Sequence, residues 1–330
     1  MEKTSITNRR IILRCLITIT LSAGFVGSSL AQNWPSKPIR LIVPFTAGSP
    51  PDLSSRVLAA QLSTVLPHPV IVDNKPGAIG LVAIQDLLRQ PADGHTLFCI
   101  LTPVTTASTL LPNQRVDLAK ELQPISQVNR IATVLVVNND LPATDMKSFV
   151  ALLRARPNDL NFASTGNGTP AHLAGELFKT QEKIQARHVP YSSFSQSVPD
   201  LLSNRVQFMF MSSPVATPLV QSGKVRALGI VGPNRLLALP NVPTLAEQGL
   251  GKIDTSSWDG IVAKAGTPRP IIDRLNSEIV RILAKPEVRT KFVEMGMTAF
   301  SSTPEELGSL INSETARWSA VIKAANITAD

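Results

Sequence analysis

Cysteine is nearly missing, with two in 330 residues, Cys15 and Cys99. Cys15 falls in a leading segment expected to be removed, so no intrachain disulfide is available and the fold must stand on its hydrophobic core. Cys99 lies in the apolar run Thr96-Leu97-Phe98-Cys99-Ile100-Leu101 and reads as a buried strand residue rather than a reactive thiol. Aromatics are sparse as well, with one Tyr and 11 Phe dispersed along the chain. No dense Lys/Arg block or aromatic stripe accompanies them, which excludes a nucleic-acid-binding surface. His68, His95 and His188 are scattered and share no metal-ligand spacing, and no cysteine pair supplements them. No Gly-Lys-Ser/Thr follows the glycine-rich stretch at Ser164–Thr169, so it is not a P-loop. Nothing in the chain calls for a cofactor. After residue 31 no apolar run of about 20 residues occurs, which excludes a later membrane-spanning helix.

The N-terminus is rich in what export requires. Lys3, Arg9, Arg10 and Arg14 precede an apolar run from Cys15 to Val26, and Ser29-Leu30-Ala31 places small residues at a cleavage position. The run is short for a bilayer core of ~30 Å. Residues 1–31 are therefore expected to be a signal peptide, with Gln32 as the mature start and the periplasm as destination. An uncleaved anchor is the weaker reading, and Arg14 argues against a lipoprotein at Cys15. Removal of four basic residues and one acid lowers the formal charge from +8 to +5, a mild positive field that favours anionic ligands through steering.

The remaining 299 residues suffice for two domains of ordinary size. Short Val/Ile-rich runs at Ile39–Phe45, Val70–Val72, Thr96–Leu101, Thr133–Val137, Leu160–Ala163, Val206–Met211 and Val225–Val231 read as strands. Segments of helical period lie between them at Leu53–Leu66, Ala83–Arg89, Met146–Ala155, Ala171–Thr180 and Val198–Ser203. This alternation predicts α/β domains with mostly parallel sheets covered on both faces. Toward the C-terminus, Pro270–Ala284, Pro286–Met295 and Pro304–Ala325 each open on proline, as first helical turns do. Polar stretches at Gln127–Arg130 and Gly251–Ser257 flank a middle block with its own strand–helix succession.

In α/β sheets ligands sit beyond the carboxyl ends of strands, where loops enter helix N-termini. Two such loops are rich in Gly and small hydroxyl residues: Pro44-Phe45-Thr46-Ala47-Gly48-Ser49-Pro50-Pro51-Asp52 and Ser164-Thr165-Gly166-Asn167-Gly168-Thr169-Pro170-Ala171-His172. Glycine lets backbone amides turn toward one point, and a helix start adds unpaired donors and partial positive charge. Such a site holds a carboxylate without Arg or Lys. The bland reading is turn geometry and capping alone; Asp52 in particular reads as a cap or brace. A Ser-His-Asp set from His172, Ser164 or Ser49, and Asp52 has the right residue types, but no nucleophile elbow is present.

At these loops the chain resembles the tripartite tricarboxylate transporter receptor family, the TctC or Bug-type solute-binding proteins. The resemblance runs from Trp34 to Ile327. It rests on the opening Trp34-Pro35-Ser36-Lys37-Pro38-Ile39, then Asp73-Asn74-Lys75-Pro76-Gly77-Ala78, Pro91-Ala92-Asp93-Gly94-His95-Thr96-Leu97 and His188-Val189-Pro190-Tyr191. Gly223-Lys224-Val225-Arg226-Ala227-Leu228, Val242-Pro243-Thr244, Trp258-Asp259-Gly260 and Gly266-Thr267-Pro268 complete the series. The resemblance implies a type II periplasmic-binding-protein fold, two α/β domains with a ligand cleft between them: residues 32–128 plus 255–330, and residues 129–254. It implies a small carboxylate ligand held by Phe45, Thr46, Ala47, Gly48, Ser49, Asp52, Ser164, Thr165, Gly166, Asn167, Gly168, Thr169 and His172. Membrane permease subunits are the implied partners, monomer is the default state, and no catalysis is expected. A receptor presenting its ligand to a membrane sensor kinase and a secreted hydrolase are the alternatives. The chain departs from the family at Ser49-Pro50-Pro51, where Gly-Gly is usual, and at Ser192-Ser193, where Lys-Gly is common.

Overall fold

The computed structural model describes residues 34–111, 116–232, 234–250 and 256–324; statements of absence below refer to these residues. The expected signal peptide, the expected mature start and the expected boundary between residues 254 and 255 lie outside them.

Two sheets organise the chain. The first holds β1 (Ile39–Val43), β2 (Val70–Asn74), β3 (Thr96–Leu101), β4 (Leu122–Ile131), β10 (Ser257–Lys264) and β11 (Thr298–Ala299), in the order β11-β4-β10-β3-β1-β2. The second holds β5 (Thr133–Val137), β6 (Asn161–Ser164), β7 (Arg187–Pro190), β8 (Phe208–Ser212) and β9 (Arg226–Val231), in the order β7-β6-β8-β5-β9. The expectation of mostly parallel sheets is corrected here. β1 pairs in parallel with β2 and β3, and β6 with β7 and β8, but β10 runs antiparallel to both β3 and β4, and β5 antiparallel to β8 and β9. The reversed strands are thus β5, the first strand of the second sheet, and β10, by which the chain re-enters the first. β4 also occupies Gln127–Arg130, which the sequence reads as a turn-rich boundary, and crosses the expected division at residue 128.

Strand alternation explains the layering. Ile39, Leu41, Val43, Leu97 and Cys99 face a cluster with Leu58 and Leu62 of α1 (Pro50–Val65) and Ile272 and Ile279 of α9 (Arg269–Ala284). Ile42, Phe98 and Ile100 face the other way, toward Ile84 and Leu87 of α2 (Leu81–Arg89) and Leu307 and Ile311 of α11 (Pro304–Ala324). The second sheet repeats the pattern. Leu135, Val137, Phe208 and Phe210 meet α5 (Met146–Ala155) and α6 (Pro170–Glu182), and Val134, Val136, Met209 and Met211 pack with Leu201 of α7 (Phe194–Leu202) and Ala216 of α8 (Ser213–Gln221). Burial of each such side chain stabilises by roughly 1.5–3 kcal/mol, enough in sum to hold both layers without covalent help. Cys99 is buried and free of any disulfide, as its setting predicts. The remaining helices are α3 (Thr102–Leu110), α4 (Leu118–Glu121) and α10 (Pro286–Glu294). No described helix is long and apolar enough to cross a membrane.

Candidate ligand-binding site

The first loop leaves β1 and enters α1. Gly48 takes φ +81°, in the left-handed region that favours glycine. The Ser49 amide and hydroxyl both donate to Thr46 O, at 3.2 and 2.6 Å. Turned back in this way, Ser49 makes no side-chain cap on the helix. Asp52, 1 % exposed, accepts from the Gly48 amide at 2.8 Å, Arg56 Nε at 2.9 Å and Asn74 Nδ2 at 2.9 Å. Asn74 Nδ2 also reaches Phe45 O at 3.0 Å. Burial opposes the Asp52 charge, but Arg56, the Gly48 amide and Asn74 together hold its carboxyl below the usual range. Asp52 is thus a brace for the turn, its oxygens already engaged.

The second loop repeats the device. Gly168 takes φ +73°, and its amide donates to His172 Nδ1 at 3.1 Å, just as Gly48 donates to Asp52 four residues on. The Thr169 hydroxyl turns back to Gly166 O at 2.7 Å and makes no side-chain cap. Ser49 and Thr169 share one backbone conformation, φ −72°, ψ 157° and φ −73°, ψ 158°, and each precedes a proline at the helix start. Gly-Ser-Pro-Pro-Asp and Gly-Thr-Pro-Ala-His therefore fold as stereochemical copies, with an anionic brace in the first and an imidazole in the second. His172 Nδ1 is the acceptor of the Gly168 amide, and its Nε2 lies 3.8 Å from Glu176 Oε1.

These copies revise how the loops present donors. The Gly48 and Gly168 amides point inward to their braces. The outward donors come from helix starts that no side chain caps. In α1 two of these positions are Pro50 and Pro51, which carry no N–H. The second helix, with a single proline, retains one amide more.

His188 is absent from the sequence-derived set and belongs beside it. Its ring stacks on His172 with centroids 3.9 Å apart and planes 6° apart, and on Phe162 at 4.8 Å. Its Nε2 lies 2.7 Å from Ser164 Oγ. Register sets this up, since β7 pairs His188 with Phe162 of β6. The scatter of His172 and His188 along the chain thus conceals a pair. Burial first, then the neighbouring His172 and Lys179, holds His188 down at about 3. The Ser-His-Asp set is not assembled: Asp52 is committed in the first loop, His172 to Gly168, and the Ser164 hydroxyl meets His188 instead.

Both loops border one apolar seam. Pro44 lies 3.3 Å from where a Cβ on Gly80 would stand. The adjoining Ile79 packs with Leu110 of α3, Leu173 of α6, and Trp318 and Ile322 of α11. A Cβ on Gly168 would stand 2.6 Å from Leu110. Around Gly48 nothing lies within 4 Å of such a position, so the outer face of the first loop is open. Two cavities, of about 300 and 520 Å³, lie elsewhere, the first between α4 and α11 and the second between α8 and α10; neither is lined by a loop residue.

Comparison with known proteins decides what such a chain is. The family model described as "Tripartite tricarboxylate transporter family receptor" matches residues 54–327. The chain belongs to that family. Among this receptor's curated relatives is Protein BugT of Bordetella pertussis, 33% identical over 304 residues, which span 92% of this chain and 93% of BugT. A UPF0065 protein from the tcbD-tcbE intergenic region of Pseudomonas sp. (strain P51) is 33% identical over 322 residues, 96% of this chain and 94% of the relative. Among solved structures, R. palustris Rpa4515 with adipate superposes with a TM-score of 0.81 at 30% identity, covering 89% of this chain and 99% of that one. MatC from Rhodopseudomonas palustris with bound malate superposes at 0.76 with 28% identity, covering 88% and 100%. The periplasmic binding protein BugD does so at 0.77 with 26% identity, covering 89% and 99%. The receptor's two-sheet α/β fold is that of these binding proteins.

Proposed function

We propose that this receptor takes up a small carboxylate outside the cytoplasmic membrane and delivers it to the permease subunits of a tripartite transporter. The observation that carries the reading is the pair of copied turns, each opening a helix that no side chain caps, set along one seam. Uncapped helix starts are anion sites by their own chemistry. Relatives bound to adipate and to malate agree with that ligand class. The ligand residues are those of the two loops, Phe45–Ser49 and Ser164–Thr169, with Asp52 and His172 as braces. Residues 32–131 with 255–330 form one domain, which keeps β4 whole, and residues 132–254 the other, closing by rotation about the two crossovers. Residues 1–31 direct export as a signal peptide and are removed after Ala31. The protein binds and does not catalyse, for the Ser164 side chain is fully buried and its hydroxyl is held by His188.

A thermal-shift screen of mono- and dicarboxylates tests this. A ligand at ~100 times its Kd adds about 2.7 kcal/mol to stability, so the melting temperature rises with the correct acid. Melting curves moved by sugars or amines, and by no organic acid, would reject the carboxylate reading.

A further inference from the structure

The strands that carry the chain out of the first sheet and back, β4 and β10, are joined by a residue the loops do not use. Asp259 on β10 is 1 % exposed. Its Oδ2 accepts from Asn129 Nδ2 of β4 at 2.7 Å and from Ser54 Oγ of α1 at 2.8 Å. The Asp259 amide also donates to Asn129 Oδ1 at 3.3 Å. The β4–β10 register is irregular between Asp259 and Gly260, so the contact sits where the ladder itself is interrupted. The other oxygen, Oδ1, has no hydrogen-bond partner. A buried carboxyl with a vacant oxygen and no cation is costly; an apolar side chain would fill the same space at lower cost. What the carboxyl supplies is one acceptor shared by three elements far apart in sequence.

Those three elements are the two crossovers and the helix that carries the first loop. Ser54 stands two residues beyond Asp52, the brace of Gly48. Cys99 of β3 lies within the field of both Asp259 and Asp52. Directly after β4, Ala132 O accepts the Ser213 amide, the first residue of α8 in the second sheet's layer. The tie to α1 therefore lies immediately below the point where the chain passes from one sheet to the other.

We infer that Asp259, with Asn129 and Ser54, is a positioning clasp that makes the two crossover strands and the start of α1 one rigid body, so that rotation of the second sheet reaches the first loop without slack. The inference rests on the proposed use of that loop for ligand. It requires the clasp bonds, not the charge, so Asp259→Asn, whose amide oxygen accepts the same two donors, preserves the function. Asp259→Leu and Ser54→Ala break it.

The test has two arms on the full mature chain. Without ligand, hydrogen–deuterium exchange followed by mass spectrometry reads the peptide over residues 44–58. Exchange there rises about fivefold in Ser54→Ala and Asp259→Leu and stays at the wild-type rate in Asp259→Asn, since losing one buried hydrogen bond shifts a local opening by about fivefold. Ile279→Val, a core truncation elsewhere in the same layer, lowers the melting temperature without that local rise. With adipate and malate as probes, calorimetric affinity of Ser54→Ala falls about tenfold and that of Asp259→Asn matches wild type. Unchanged exchange over 44–58 in both clasp-breaking variants overturns the inference. If the wild-type protein binds neither acid but the exchange pattern appears, adipate and malate are not its ligands, the carboxylate reading is judged by the thermal-shift screen, and the clasp stands.

Discussion

Two glycines in equivalent turns differ in what surrounds them, and that difference sets their tolerance of change. Both take positive φ, so alanine at either pays about 1 kcal/mol of backbone strain. At Gly168 a Cβ would also meet Leu110 at 2.6 Å, whereas at Gly48 it would meet nothing within 4 Å. Urea unfolding should place Gly168→Ala about 2–4 kcal/mol below wild type and Gly48→Ala about 1 kcal/mol below; equal losses would show that the seam yields to Leu110. Asp259 makes a second single-residue prediction. Burial pushes its carboxyl from 3.8 up to about 6, against the donors Asn129 and Ser54. Between about pH 4 and pH 6 the folded chain binds a proton that the unfolded chain has released. Its contribution to stability therefore falls as pH rises through that window, by on the order of 3 kcal/mol. Asp259→Asn, unfolded in urea from pH 4 to pH 7 beside wild type, should gain on wild type across that range. Parallel curves would mean that Asp259 titrates normally.

Among the elements, the stack of His172 on His188 joins α6 to β7, with Ser164 of β6 on its outer edge. His188, depressed to about 3, stays neutral in the fold while the unfolded chain takes up a proton below about pH 6.5. Stability from this group is complete above that pH and is lost as pH falls toward 3. His188→Gln, which keeps a polar partner for Ser164, should flatten the acid side of the unfolding profile; an unchanged profile would remove His188 from the account. The stack also illustrates what sequence reading reaches. The two loops were legible because glycine, hydroxyl residues and proline announce a strand-to-helix turn locally. His188 was not, because its partnership with Ser164 is made across a strand pair 24 residues apart. The apolar runs of β1, β3 and β5 were read closely, being buried on both faces. By contrast β4 carries Ser126, Gln127 and Asn129, all buried, and looks like a turn. Besides the Ser126 hydroxyl's bond to Gln127 O, its polar groups meet distant partners, the Ser302 side chain and backbone and Asp259. The helix α3, Thr-Pro-Val-Thr-Thr-Ala-Ser-Thr-Leu, has weak intrinsic helix propensity, and Thr105 and Thr106 turn their hydroxyls to carbonyls three residues back. Its position is imposed by the seam, which no local pattern reveals.

For the whole molecule, the notable relation is between the order of strands in the chain and in space. The second sheet is drawn from one continuous stretch, Thr133 to Val231. The first takes β1, β2, β3 and β4 from before that stretch and β10 and β11 from after it. β10 lies between β3 and β4, so the centre of the first sheet is empty until the last quarter of the chain is present. Contacts that close long loops form late. Pulsed hydrogen-exchange labelling during refolding should protect β5, β8 and β9 before β3 and β4; simultaneous protection would mean that the sheets nucleate together. On a ribosome the consequence is sharper. The middle of the polypeptide can finish while the N-terminal strands wait, unpaired across a gap one strand wide, for a tail not yet translated. Under the proposed export that delay is an asset: half of the architecture stays open until synthesis ends.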